Sequence, residues 1–309
     1  MHSKKIIVIG STNMDMVVKT SHIPVPGETV LSGSFFMNPG GKGANQAVSV
    51  ARLGGDVAFV SKVGNDVFGK QSTQLFEEEG IDIAHLLSDD TLPSGVALIT
   101  VDRSGENSIV VASGANASLM PADLEDALDK IAGAGIVLMQ LEIPMETVHF
   151  AAIYAVKHGV KVILNPAPAN TLPPKLLSCI DIITPNQSEA AMLSGINVTD
   201  AATAAQAAVA IHNLGVKSVI ITMGAMGCVI YDKGEITVVP AQKVEAVDTT
   251  AAGDVFCGAL AVALAEGGTL FDAVNFASRA AAISVTRMGA QPSIPYRKEL
   301  ITGNIQLKP

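Results

Sequence analysis

Val247-Asp248-Thr249-Thr250-Ala251-Ala252-Gly253-Asp254-Val255-Phe256-Cys257-Gly258-Ala259 is the stretch on which the reading of the fold turns. Gly258 through Ala265 is small and apolar throughout, the pattern of a buried helix. Ala251-Ala252-Gly253 then forms its first turn, where backbone N–H groups have no helical acceptor and no side chain stands in the way. Such a turn is an anion site. Asp254 is expected where those N–H groups point. A carboxylate repels a bound anion, so its presence makes sense if the anion is transferred and the carboxylate takes a proton from the attacking group. An Asp can also sit in a first turn simply to suit the helix dipole. Alone, Asp254 favours that plainer reading; the Ala-Ala-Gly before it brings the two level.

Working outward, other strand ends carry polar groups too. Ile6 to Ile9 is a continuous apolar run, read as a parallel strand buried on both faces, and Asn13 and Asp15 follow it. In open α/β sheets ligands bind beyond the carboxyl ends of strands. Two residues apart in extended chain, Asn13 and Asp15 share a face and suit neighbouring hydroxyls, although taken alone they are better explained as a polar turn after a strand. Pro24 to Gly27 reads as a turn and Glu28 to Phe36 as an extended segment. Asn38-Pro39-Gly40-Gly41-Lys42-Gly43-Ala44-Asn45-Gln46 reads as a Gly-rich loop opening a helix that ends at Gly54-Gly55, with Lys42 and Asn45 projecting from it. Gly64 to Lys70 has the spacing of a phosphate-binding P-loop. Gln71, however, stands where a magnesium-binding Ser or Thr is needed, so a plain strand–helix connection is expected.

Ser94–Val101 and Ser108–Ala112 alternate like a β-hairpin, and with the segment 13–36 they suggest a small sheet acting as a lid. From Pro121 a strand–helix rhythm resumes: helix 122–131, strand 136–141 ending at Glu142, helix 145–157, strand 161–164, strand 180–184, helix 201–214 and strand 218–222. A second hairpin, 228–232 and 235–239, turns at Lys233-Gly234 on one sheet edge. Thr302 to Pro309 are expected to fray.

The chain has 309 residues, 49% of them hydrophobic and 16% charged, with a net charge of −9. That is a compact globular composition. The acidity argues against general nucleic-acid binding. Three scattered cysteines and six histidines give no zinc spacing and point to a reducing compartment. The short apolar run at the N-terminus is neither a signal peptide nor a membrane span, so a cytoplasmic protein without a membrane partner is expected. Three Asn-x-Ser/Thr sites then mean nothing.

Together, Asn13-x-Asp15, Gly40-Gly41-Lys42-Gly43-Ala44-Asn45-Gln46-Ala47, Asn165-Pro-Ala-Pro168, Thr184-Pro-Asn186-x-x-Glu189 and Asp248-Thr-Thr-Ala-Ala-Gly-Asp254 resemble the ribokinase (phosphofructokinase-B type) family of carbohydrate kinases. They fall in the family's order over nearly the whole chain, up to Gln291-Pro292-Ser293. The resemblance implies one doubly wound α/β domain over residues 1–309, its mostly parallel sheet flanked by helices. It also implies a small β-sheet lid, from about 13–36 and 94–112, which forms a homodimer contact. It implies phosphoryl transfer from ATP with Mg²⁺ to the 5-hydroxyl of D-ribose. Asp254 matches the catalytic base, and Ala251, Ala252 and Gly253 the anion hole. Asn13, Asp15, Gly41, Lys42, Asn45, Glu142 and Asp254 match sugar-binding positions. Asn186, Glu189, Thr222, Gly224, Gly227 and Gly253 match nucleotide and metal-water positions. Asp248, Thr250, Ser284, Arg287, Gly289 and Ser293 match a monovalent cation site, with K⁺ expected. One departure stands out: Ser278 lies near the expected adenine, where ribokinases often carry His, so nucleotide preference is open.

Three other readings compete. A sibling kinase for deoxyribose, fructose or a nucleoside would use the same machinery. A non-catalytic sugar sensor has no need for Asp254 beside an intact Ala-Ala-Gly. A nicotinamide dehydrogenase would need Gly-x-Gly-x-x-Gly after the first strand, which Gly10-Ser-Thr-Asn-Met-Asp15 does not supply.

Overall fold

The computed structural model describes residues 4–31, 33–104 and 106–301, so the expected frayed end, Thr302 to Pro309, lies outside the described residues. The strands are β1 (Ile6–Ile9), β2 (Asn13–Lys19), β3 (Ser34–Gly40), β4 (Val57–Gly64), β5 (Asp82–Asp89), β6 (Gly95–Val101), β7 (Asn107–Ala112), β8 (Ile136–Met139), β9 (Lys161–Leu164), β10 (Ile182–Ile183), β11 (Ser218–Thr222), β12 (Cys228–Asp232) and β13 (Glu235–Val239). The α-helices are α1 (Lys42–Arg52), α2 (Val67–Glu78), α3 (Leu128–Ala132), α4 (Met145–Lys157), α5 (Pro174–Leu177), α6 (Gln187–Ser194), α7 (Ala201–Asn213), α8 (Ala252–Ala265), α9 (Leu270–Ser284) and α10 (Arg297–Ile301).

Among the described residues the strands form a nine-stranded sheet, ordered β13-β12-β11-β10-β9-β8-β1-β4-β5, and a four-stranded one, ordered β3-β2-β6-β7. In the large sheet β5 through β11 run parallel, and the β12–β13 hairpin closes one edge antiparallel. Alternation along β1 shows why its run is apolar at every position. Ile7 and Ile9 enter a core beneath α4 and α7, while Ile6 and Val8 enter one beneath α1, α8 and α9. The chain order reverses between β1 and β8, which pair directly: β4 and β5 extend one way, β9 to β13 the other. This is the topological switch point, where α/β sheets bind ligands.

α8 is the central helix, buried along most of its length. α1 can lie against it because residue 258 has no side chain: a Cβ there would stand 2.6 Å from Ser49 Cβ and 2.9 Å from the Gln46 carbonyl oxygen. Ser49 Oγ donates to the Val255 carbonyl at 3.2 Å and secures the crossing.

Several elements differ from the sequence expectation. The Gly-rich loop is shorter than expected, because Asn38-Pro39-Gly40 completes β3, leaving Gly41 as the junction to α1. Pro39 is tolerated since β3 is an edge strand. β5 lies in a segment not expected to be a strand. The 122–131 helix is instead a 3₁₀ segment, Pro121–Ala127, running into α3. β8 and β10 are shorter than expected, and α2 begins at Val67, inside the P-loop-like stretch. Asp66 caps α2 by accepting from the Gly69 N–H at 2.8 Å, so the P-loop-like spacing is a capped strand–helix connection. The small sheet is mixed, with β2 parallel to β6. No helix among the described residues is long and apolar enough to cross a membrane.

Gly258→Ala is expected to lower stability by about 1–3 kcal/mol through overpacking at the α1–α8 crossing. This is a net loss despite alanine's advantage in helices, and urea unfolding would measure it.

Candidate active site

Asp254 lies in the first turn of α8 and is buried. Its carboxylate does not face the neighbouring N–H groups, as the sequence reading expected. It turns toward α1, where Asn45 Nδ2 donates to Oδ2 at 2.9 Å and Gln46 Nε2 to Oδ1 at 3.1 Å. Ala251 is not part of the first turn either. It is the cap, held at φ 60°, a left-handed conformation uncommon outside glycine. The Ala252 N–H is engaged with the Thr249 carbonyl at 3.2 Å. Gly253 is exposed at the mouth of the turn, with nothing within 4 Å of where a Cβ would stand. The open part of the expected anion hole is therefore centred on Gly253.

The candidate sugar groups converge on the same place. Asn13 and Asp15 project from β2 on one face. Asn13 Oδ1 accepts from Asn116 Nδ2 at 2.8 Å, which leaves the Asn13 amide nitrogen to face outward as a donor. The Asp15 carboxylate lies over Gly40, so closely that a Cβ there would come within 2.3 Å of it. Gly41 adopts φ 89°, and a side chain on it would meet the Asn13 backbone nitrogen at 2.6 Å. Glu142 is turned inward: it accepts from Ser11 Oγ at 2.5 Å and from the Lys42 N–H at 3.0 Å, tying the start of α1 to the end of β1. Asn45 Oδ1 is buried without a partner in the fold, an acceptor suited to a hydroxyl.

One cation sits among several carboxylates here. Burial works against the Lys42 ammonium, but Asp254, Glu142 and Glu189 together hold its pKa above the ordinary value. Burial, reinforced by Glu142 and Asp254 and opposed by Lys42, pushes Asp15 up to about 7. Asp254 is also raised by burial, with Lys42 and the Asn45 and Gln46 amides working in the other direction. Glu189 is raised, again chiefly by burial.

The candidate nucleotide residues have more local employment. Asn186 and Glu189 form a capping box on α6: Asn186 Oδ1 accepts the Glu189 N–H at 2.9 Å and Glu189 Oε2 accepts the Asn186 N–H at 2.9 Å. Thr222 ends β11 beside Asn186. Gly224, at φ 56°, is open, whereas Gly227 packs against the Val239 carbonyl. Ser278 lies beside the Cys228 thiol and works against the rise that burial gives its pKa.

At the candidate cation site, Asp248 Oδ1 accepts from Thr250 N and Oγ1 at 2.9 and 2.6 Å, and Oδ2 accepts from Gly289 N at 2.8 Å. The side chains of Ser284 and Ser293 bond to nearby carbonyls and that of Arg287 to Glu299. What these segments offer a cation is thus backbone oxygen and the Asp248 carboxylate. No group of three His, Cys, Asp or Glu among the described residues forms a metal cage.

Gln46, Gln140, Asn165, Ser11 and Asn116 were not singled out as site residues by the sequence. Gln46 and Asn165 were quoted within their motifs, and Gln140 is the polar residue inside the apolar stretch read as the strand 136–141; those were the available signals.

A hydroxyl-binding cluster and a base-like carboxylate beside an open helix N-terminus, at the switch point of such a sheet, define a phosphotransferase acting on an alcohol. The chain belongs to the pfkB family of carbohydrate kinases, which it matches over residues 3–297. It is 46% identical over 298 residues to a ribokinase of Haemophilus influenzae, covering 96% of this chain and 97% of that one. It is 37% identical over 291 residues to a deoxyribokinase of Salmonella typhimurium, covering 94% and 95%. Among solved structures it is similar to the Arabidopsis thaliana ribokinase complexed with ribose and ATP, with a TM-score of 0.91 and 35% identity over 97% of this chain and 98% of that one.

A carboxyl whose folded pKa lies above its unfolded value of 3.8 keeps a proton in the fold that the unfolded chain has lost. Asp15 therefore makes stability fall as pH rises from about 4 to about 7. Asp15→Asn is expected to flatten that slope, as measured by urea unfolding between pH 5 and 7.5.

Proposed function

We propose that this protein phosphorylates D-ribose at its 5-hydroxyl with ATP, giving ribose 5-phosphate and ADP. The observation that carries the reading is Asp254: a buried carboxylate fixed by two amides at the first turn of α8, one residue from the open Gly253 N–H. The sugar is read as held by Asn13, Asp15, Lys42 and Asn45, close to the Gly41 backbone, with Glu142 bracing that corner. Its terminal hydroxyl lies toward Asp254. An Asp is a weak base, but the hydroxyl proton becomes acidic only as the bond to phosphorus forms, so an ordinary carboxylate suffices. ATP is read as lying over Thr222, Gly224 and Gly227. Its γ-phosphate would rest on the first turn of α8, where Gly253 with Ala251 and Ala252 and the helix dipole favour negative charge. Bound Mg²⁺, reached through water by Glu189 and Asn186, would neutralise phosphate charge. Bound K⁺ at Asp248, with Thr250 and the carbonyls around Ser284, Arg287, Gly289 and Ser293, would shape the loop leading into Ala251. With Ser278 beside Cys228, adenine contacts there differ from those of a His, and ATP preference over other nucleotides is expected to be modest.

The four-stranded sheet is read as a lid that excludes water, and as the contact of a homodimer. Its outer face presents Val18, Phe35, Met37, Leu98 and Val110, all exposed. These positions lie opposite one another across β3, β2, β6 and β7. A contiguous apolar face of this kind calls for a covering surface, and a second copy supplies one. An ATP-using enzyme with three unpaired cysteines is read as cytoplasmic.

The sugar is tested by ADP release at saturating ATP-Mg²⁺ with ribose, 2-deoxyribose, fructose and adenosine, each with and without potassium. Ribose is expected to be turned over fastest and to be accelerated by potassium; faster turnover of another acceptor would reassign Asn13, Asp15 and Asn45. Asp254→Asn should lower kcat at least about 1,000-fold, the scale of losing a general base with its electrostatic role, while calorimetry still detects ribose. Leu98→Glu should convert the dimer to monomers in sedimentation velocity, and an unchanged dimer would move the contact elsewhere.

A further inference from the structure

The buried polar residues behind Asp254 form a chain that the reaction as read above does not use. Gln46 is fully buried. Its Nε2 donates to Asp254 Oδ1 at 3.1 Å and lies 3.4 Å from Asn165 Oδ1, while its Oε1 accepts from Gln140 Nε2 at 2.6 Å. Asn165 is anchored in turn, donating from Nδ2 to the Thr184 carbonyl at 3.1 Å. Gln140, also fully buried, directly follows β8 and lies against the end of β1; a Cβ on Gly10 would stand 2.0 Å from its Oε1.

We propose that Gln46, backed by Gln140, is a positioning residue that fixes the Asp254 carboxylate for proton removal. The inference rests on the reading of Asp254 as the base. Both polar atoms of Gln46 are engaged within the protein, so it has nothing left to offer a sugar. Asn45 beside it differs, because its Oδ1 has no partner. The orientation of Gln46 follows from Asp254: the carboxylate accepts, so the amide nitrogen faces it, and rotated by half a turn Gln46 would set an oxygen against a buried carboxylate. Its Oε1 then takes the Gln140 donor, which backs the arrangement, while Gln140 Oε1 is buried without a partner among the described residues. Two donors on different oxygens also fix the plane of the carboxylate, which one donor would leave free to rotate. Neutral amides achieve this with less loss of basicity than a bonded cation would cause. The charged or titratable groups around Asp254 are Lys42 on α1, Glu142 after β8, Glu189 on α6, Asp15 on β2 and Cys257 on its own helix. None of them hydrogen-bonds to it among the described residues.

The test compares Gln46→Met, which keeps length but removes the donor, with Gln140→Met, their double variant and Asp254→Asn. Melting temperature and calorimetric ribose binding serve as controls for folding. Gln46→Met is expected to lower kcat about 100-fold, the scale for a misplaced reacting group, with KM for ribose changed less than about threefold. The acid limb of its kcat–pH profile should move to higher pH, because a carboxylate that loses a donor holds its proton more tightly. Gln140→Met should shift both readouts the same way by less, and the double variant should be no worse than Gln46→Met, since the two act as a unit. Should Gln46→Met fail to fold, Gln140→Met carries the test alone. A KM rise at unchanged kcat would make Gln46 a sugar ligand, and unchanged kcat with an unmoved acid limb would remove the positioning role; either outcome overturns the inference. Normal turnover by Asp254→Asn would instead overturn the base reading. An inactive Asp254→Asn beside a normal Gln46→Met would overturn the positioning role alone.

Discussion

A carboxylate taken out of water must be given hydrogen bonds, and the site is built around meeting that demand at Asp254. Its two amide donors come from the start of α1, so α1 must approach α8 closely, and Gly258 permits it. α1 in turn must begin just beyond the end of β1, where Glu142 pins the Lys42 N–H and Ser11. β1 and β8 must then be neighbours, since Glu142 and Gln140 follow β8. The switch point, the glycines and the buried amides are thus one set of consequences.

The same pocket is short of positive charge. Asp15, Glu142, Glu189 and Asp254 influence one another there, with Lys42 as the shared cation. In a protein of net charge −9, phosphate cannot be drawn in by a basic surface. The groups the proposed reading leaves for that task are the helix terminus at Gly253, a single lysine and the cations accompanying a nucleotide. Burial raises Asp15, Asp254 and Glu189 together, with Lys42 opposing it at each.

Much of the frame was legible in the sequence. α4, β9, β11 and the β12–β13 hairpin carry the bounds that periodicity and turn residues gave them. Their signals are local: continuous apolar runs, and a Lys-Gly pair with both φ angles positive. β5 escaped because it is a half-buried edge strand with Asp and His in it, without clean alternation. Only the start of β3 was read, within the extended segment 28–36; its end was hidden by Pro39, which reads as a breaker until one knows the strand lies at an edge. In the site, the motifs marked Asn13, Asp15, Lys42, Asn45 and Asp254, and the fold brings them together. The direction of the Asp254 side chain was not legible, nor was the Gln46–Gln140 bond, which joins residues 94 positions apart. Asn186 and Glu189 show the converse: their spacing is also that of a helix cap, and the cap is what the fold displays.

β2 gives Asn13, Asp15 and Val17 to its inner side and Met16 and Val18 to its outer side with a period of two, while Met14 at its start is buried. Odd positions therefore face the candidate cleft, and Met16 and Val18 face the outer surface. The two faces are written on one short segment in interleaved letters. Drift or engineering can revise either text without erasing the other.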